Sequence, residues 1–273
     1  MELLRSAWDW LPVRGRVGLV LLAFAQLYWV RWFIVHYVVL PVRLYRSNVI
    51  DARDRTRTIE PAYPEPMEPE VARHLEESER SLLALGFVDP HRTTDQLTVP
   101  LTSVGCTLEH SKSGDHVLII AICSTAGLTR RFNGELSFSA EFVDGVRLCT
   151  SNIRTARYWP DAPKVEHVRF TDVTEVDELY RLHRARVEAR RATVPQKSVS
   201  RGRTPEQRLV HTKRLALDFR KHLVRCGYRR RTPGGLRPTV RGALFSAWRH
   251  VFPWRHIDAW SLRRRARAAA RLA

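Results

Sequence analysis

Residues 135–151 read ELSFSAEFVDGVRLCTS, and their alternation decides what kind of body this chain folds into. Leu136, Phe138, Ala140 and Phe142 fall on one side of an extended chain and Ser137, Ser139 and Glu141 on the other, the period of a half-buried β-strand. Asp144-Gly145 then turns the chain into VRLCTS. Two registers compete. A two-residue Asp-Gly loop opposes Phe142 to Arg147 and Glu141 to Leu148, which mixes the faces. A three-residue loop with Gly145 left-handed in a bulge opposes Phe142 to Val146, Ala140 to Leu148 and Glu141 to Arg147. The second keeps one face apolar and matches charge on the other, so it is the expected register.

Outward from this hairpin, residues 116–124 (HVLIIAICS) form a short β-branched run suited to a central strand, and residues 104–110 pair with it through a turn at 112–114. A further strand is expected at 165–170. Thr174-Glu-Val-Asp177 then fits the capping signature of a helix whose inner stripe is Val176, Leu179, His183 and Val187, with Arg181, Arg184, Arg186, Arg190 and Arg191 outside. On the other flank Pro69 opens a helix with Val71, Leu75, Ser78, Leu82 and Leu85 on one face and Gly86 as its stop. This order predicts an α+β fold, an antiparallel sheet of four or five strands flanked by helices over residues 70–195. Such an outline hosts many functions and assigns none.

The sheet follows an unusual start. Residues 17–42 read VGLVLLAFAQLYWVRWFIVHYVVLPV, with Gln26, Arg31 and His36 as the only strongly polar members. A bilayer core of about 30 Å needs roughly 20 helical residues, so a single transmembrane helix is expected at about 17–37. Arg31 is the objection, since a guanidinium at a span's centre costs on the order of 2.5–3.5 kcal/mol. Lying roughly 9 Å from the far edge, it can snorkel toward headgroups among Tyr28, Trp29, Trp32 and Tyr37, which resemble an interfacial aromatic belt. Ala23-Phe24-Ala25 imitates a signal-peptidase site, but cleavage there would leave QLYWVRWFIVHYVVL at the front of a soluble protein. Arg5, Arg14 and Arg16 precede the span and Arg43, Arg46, Arg53, Arg55 and Arg57 follow it, a bias that puts the C-terminal bulk in the cytoplasm. The expected organisation is an anchor over 1–47, a proline-punctuated linker over 48–69, the body, a basic linker over 196–203 and a basic helical region over 204–273.

Charge divides along the same lines. The 273 residues carry a formal +18, and 20 Lys and Arg against three acids put +17 of it in residues 201–273, which leaves +1 for the rest. With 44% hydrophobic and 27% charged residues the chain is not wholly disordered, and 13 Gly and 15 Pro without period exclude a collagen-like class. Arginine outnumbers lysine 41 to 5, a skew that GC-rich coding explains before phosphate chemistry does. In the tail, Thr204-Pro-Glu-Gln207 caps a helix running to about Cys226, a charged turn at Arg229, Arg230 and Arg231 follows, and helices are expected at 239–251 and from 255 to the end. Trp248, Trp254 and Trp260 interleave with Arg249, Arg263, Arg264 and Arg265. Three surroundings suit that pattern: a packed helical cap, the anionic headgroups of a bilayer, and, less well, nucleic acid.

Chemistry is sparse. No nucleotide-binding glycine loop, zinc-protease helix, nucleophile elbow, kinase set or calcium loop occurs. The four cysteines show no C-x-x-C pair and fit reduced thiols, and the histidines lack the i, i+4 spacing of paired ligands, so no metal and no cofactor is expected. Asn152, Arg154 and His183, with Tyr158 and Trp159 nearby in sequence, are the candidates for a small polar catalytic site, weighed against ordinary turn bonding and core packing. The expected function is that of a bacterial-type single-pass membrane protein acting as a tethered interaction or scaffold module, with the bilayer and an unidentified protein as partners. A membrane-anchored nucleic-acid binder and an enzyme at Asn152 and His183 are the alternatives.

Overall fold

The computed structural model describes residues 13–47, 57–58, 69–98, 101–124, 131–154, 160–196, 204–233, 235–249 and 251–271. Strands β1 (Arg57–Thr58), β2 (Phe87–Thr98), β3 (Leu101–His110), β4 (His116–Ser124), β5 (Arg131–Glu141), β6 (Arg147–Ser151) and β7 (Val165–Arg169) form one sheet in that order, and β8 (Arg229–Thr232) and β9 (Gly235–Pro238) form a separate antiparallel ribbon. The helices are α1 (Val13–Phe33), α2 (Leu40–Ser47), α3 (Pro69–Ala84), α4 (Val176–Arg191), α5 (Pro205–Arg225), α6 (Val240–Trp248) and α7 (Trp254–Ala270). A π-helical segment, Ile34–Val39, joins α1 to α2.

The β5–β6 hairpin takes the bulged register. Glu141 faces Arg147 and Ala140 faces Leu148, while the Phe142 amide donates to the Val146 carbonyl at 2.9 Å and Gly145 sits at φ +79°. Only glycine adopts that φ without steric cost, so the turn chemistry sets which face every residue of both strands presents. Leu136, Phe138, Ala140, Phe142 and Leu148 are all buried. Leu136 and Phe138 meet Val104, Cys106 and Leu108 of β3 and Val117, Ile119 and Ala121 of β4 in a core that α3 and α4 cover, while Ala140, Phe142 and Leu148 form a second cluster with Val187 of α4. Helix α3 brings Val71, Leu75, Ser78 and Leu82 to that core as its spacing predicts, and Gly86 ends its turn at φ +92°.

The sheet is larger than expected. Six strands of ordinary length plus the two-residue edge strand β1 replace the four or five predicted, and β7 runs parallel to β6 rather than antiparallel. The thirteen residues between them allow the crossover that a parallel neighbour requires. Strand β2 escapes the sequence pattern because it is polar and holds Asp89-Pro90, which the fold accommodates at a register break between Val88 and His91 with Asp89 at φ +53°. Two features of α4 also differ. Its N-cap is Glu175 with no side-chain cap, so the Thr174 capping box is not made. Arg186, expected outside, is buried at 6% exposure and donates to the Cys149 carbonyl and the Thr150 hydroxyl, both at 2.6 Å.

In the tail, Thr204 and Gln207 complete the reciprocal capping box and Pro205 opens α5. The region is not wholly helical, because the Arg229–Arg231 turn becomes the first strand of the β8–β9 ribbon. Most of the expected linkers, 48–56, 59–68 and 197–203, and Tyr158 and Trp159 lie outside the described residues.

Truncating the fully buried Phe142 to alanine is expected to cost about 3–5 kcal/mol in chemical denaturation followed by circular dichroism. Val143→Ala, one residue along at 60% exposure, is expected to change stability by no more than about 0.5 kcal/mol.

Candidate functional site

Among the described residues one helix is long and apolar enough to cross a membrane, Val20–Arg46, and none of its apolar window is buried inside the protein. Phe24, Leu27 and Trp29 are 65%, 66% and 62% exposed, and Tyr28 and Arg31 are open as well. Coverage begins at Trp32: Trp32, His36 and Tyr37 are half-buried and Pro41 is buried. The cover is α6, which packs along α2 and the π segment, with β9 also touching α2. The buried residues of α6 are small (Gly242, Ala243, Ser246 and Ala247), so its backbone can approach another helix closely.

Specific contacts fasten this junction. The Tyr37 ring lies 6.2 Å from Trp248, and its hydroxyl donates to the Phe252 carbonyl. Arg230 donates to the Tyr45 hydroxyl at 3.1 Å, with its guanidinium 5.8 Å from the ring centre. Within the helix, Trp32 stacks on His36 at 4.7 Å, and His36 Nδ1 lies 2.8 Å from the Trp32 carbonyl oxygen. Leu40 N–H reaches back five residues to Val35, as a π turn does.

Beyond the junction the tail residues divide. Phe252, Trp254, Ile257 and Trp260 are 61%, 46%, 50% and 59% exposed, an apolar patch contiguous in sequence with the Phe252 that Tyr37 holds. Arg263, Arg264 and Arg265 are exposed beside it, and Arg264 lies 5.6 Å over the Trp260 ring. Two of the expected surface arginines turn inward instead. Arg229 is only 2% exposed and donates to the Leu236 carbonyl at 2.9 Å; Arg249 pairs with Asp258 at 3.3 Å and lies over the Phe245 ring. Trp248 is half-buried against Tyr37, whereas Trp254 and Trp260 are exposed. The far end of α7 buries Ala269, which joins the body's core with the half-buried Ala266.

The three candidate catalytic residues do not converge. Asn152 Oδ1 accepts from the Leu136 amide at 2.7 Å, extending the sheet, and Arg154 donates to the Thr171 carbonyl at 3.1 Å. His183 is fully buried, with Nδ1 3.0 Å from the Thr150 hydroxyl. What the structure builds around His183 is a buried polar network that hydrophobic spacing alone did not reveal. Asp115, with no exposed surface, accepts from Arg184 at 2.8 Å, Gln196 at 2.8 Å and Ser113 at 2.7 Å. Although burial pushes the Asp115 carboxyl up, His183, the Ser113 hydroxyl and Arg184 together hold it below the usual carboxylate value. Burial draws Arg186 down to about 10, with Cys149 and Glu166 opposing. The partners of Asp115 are spent within the fold, as in a structural network, while His183 Nε2 is buried with no hydrogen-bond partner among the described residues. Among the described residues no three His, Cys, Asp or Glu side chains converge to hold a metal ion, and Cys106, Cys149 and Cys226 are free thiols.

No protein-family model matches the chain, no curated protein is significantly similar to it, and no solved structure matches it significantly. Its function is therefore argued from this geometry.

Burial drives His183 from an ordinary 6.5 down to about 4, with Asp115 opposing and Arg186 and Arg184 adding to the fall. The unfolded chain takes this proton near pH 6.5 and the folded chain near pH 4, so protonation favours unfolding. The contribution is fully present above about pH 6.5 and falls away as pH drops toward 4, by on the order of 3 kcal/mol. Thermal unfolding midpoints measured from pH 7 to pH 4.5 are expected to fall, and His183→Gln is expected to flatten that slope.

Proposed function

We propose that this chain is a single-pass membrane protein whose α+β body and basic C-terminal helices form an interaction module held against the cytoplasmic face of the bilayer. The observation that carries the proposal is the change of cover along one helix. Its apolar surface is bare all round up to Arg31, and from Trp32 onward one side (Trp32, His36, Tyr37 and Pro41) is covered by the module that also displays Phe252, Trp254, Ile257 and Trp260, while Phe33, Ile34, Val38 and Val39 stay exposed. A span that leaves the bilayer just beyond Tyr37 accounts for both, since lipid covers the bare surface and the module covers one side of the helix as it emerges. Arg31 then lies among Trp29, Trp32 and Tyr37, within reach of headgroups.

The displayed aromatics with Arg263, Arg264 and Arg265 suit an interfacial helix end, with rings at the acyl boundary and guanidiniums at anionic headgroups. Exposed Arg43 and Arg46 on α2 and the +17 tail favour the cytoplasmic side. Nucleic acid is the weaker partner, because Arg229, Arg230 and Arg249 are engaged within the protein and the span keeps a bilayer at hand. With no reacting constellation among the described residues, the role proposed is scaffolding rather than catalysis.

Two measurements test this. Alkaline carbonate extraction is expected to leave the chain in the membrane pellet, with a reporter fused after Ala273 active on the cytoplasmic side; release into the supernatant defeats the span. In nanodiscs whose acyl chains carry bromine, replacing Trp254 and Trp260 with tyrosine is expected to remove part of the bromine-quenched tryptophan emission. An unchanged quenched component means that α7 does not touch lipid.

A further inference from the structure

Helix α5 and the β8–β9 ribbon enclose an open groove of about 230 Å³ that no part of the proposed interface uses. Leu217 and Val224 of α5 and Leu236 of β9 give it an apolar wall, and Arg220, Lys221 and Arg231 bring cationic heads to it. Lys221 pairs with Asp218 at 3.4 Å, but among the described residues no acid pairs with Arg220 or Arg231. Buried Arg229 lies behind them on the same strand as Arg231, and its proton affinity is drawn down to about 10, by burial first and by the charge of Arg220 second. Arg220 and Arg231 thus bring like charges to the groove with no acid between them among the described residues, a condition that a bound anion relieves.

Three features select the anion. The groove combines apolar and cationic walls, so its occupant is an amphiphile. Its volume falls below the roughly 300–1,000 Å³ that compact small-molecule ligands fill, which fits a stretch of chain and a headgroup edge better than a whole cofactor. No aromatic ring lines it, so a nucleobase finds no stacking platform. Location agrees: Arg230 meets Tyr45 of α2 from the ribbon, and neighbouring Arg231 lines the groove, so the site lies a ribbon's thickness from the helix that continues the span.

We infer that this groove binds one anionic phospholipid of the leaflet from which the span emerges, its phosphate between Arg220 and Arg231 and its upper acyl chain along Leu217, Val224 and Leu236. This rests on the proposal that the apolar part of the Val20–Arg46 helix spans a membrane. Bound there, the lipid would stitch α5 and the ribbon to the bilayer at a point separate from the α7 aromatics.

Native mass spectrometry of the full chain in mild detergent, with added phosphatidylglycerol or phosphatidylcholine, tests the site. One phosphatidylglycerol is expected to be retained at about tenfold lower lipid concentration than phosphatidylcholine, and Arg220→Gln with Arg231→Gln is expected to weaken it by about tenfold or more. Leu217→Gln is expected to weaken both lipids. Arg73→Gln with Arg80→Gln, two exposed arginines of α3 in the body, is expected to leave retention unchanged. The inference is overturned if the Arg220 and Arg231 substitutions leave phosphatidylglycerol bound as before. It is equally overturned if glycerol phosphate competes as well as the lipid and Leu217→Gln has no effect, for the site then takes a bare anion. Because carbonate extraction and bromine quenching report on the span and α7 independently, a failed groove and a failed membrane assignment give different patterns.

Discussion

A helix whose apolar surface its own chain leaves bare is the constraint on which the rest of this molecule depends. Fifteen large hydrophobic side chains between Val17 and Val42 are exposed. At about 1.5–3 kcal/mol for each such side chain left in water, their sum exceeds the 5–15 kcal/mol by which whole domains are stable. Something apolar has to surround that helix. From Trp32 onward the small residues of α6 cover one side of that helix and leave the other side exposed. The basic tail is thus more than a charged appendage, because it closes around the end of the helix and presents its own aromatics beside it.

Helix α7 turns this local junction into a connection with the body. Its 17 residues measure about 25 Å from Trp254, beside the Phe252 that Tyr37 holds, to Ala269 in the core under α4. The body is therefore joined to the apolar helix twice, once through the chain that precedes α3 and once through α7 and the α6 junction. A body attached in two places is restricted in its orientation to the apolar helix in a way that a single tether does not achieve.

Much of this was legible in the sequence wherever local chemistry and global packing agreed. The β5–β6 register followed from facing Glu141 with Arg147, the α5 start from Thr204, Pro205 and Gln207, and the α3 face from its apolar spacing. What stayed hidden was governed by tertiary context. Polar β2 is a strand because β3 offers it a ladder, and β7 runs parallel because a crossover brings it back beside β6. Arg229 and Arg186 look like solvent-facing cations in a charged run, yet each lies against carbonyl groups that only the folded chain brings together. For the same reason Asn152, Arg154 and His183 looked like one polar cluster along the chain and found separate partners in space.

The π segment Ile34–Val39 carries a geometric consequence for the whole molecule. A π turn takes up one residue more than an α turn, which rotates everything downstream by about 100° around the helix axis. The face of α2 that receives α6 and the ribbon is thus set off by more than a quarter-turn from the direction an unbroken α-helix would give it. The segment acts as an azimuthal index, fixing the compass direction in which the body extends from the axis of its anchor.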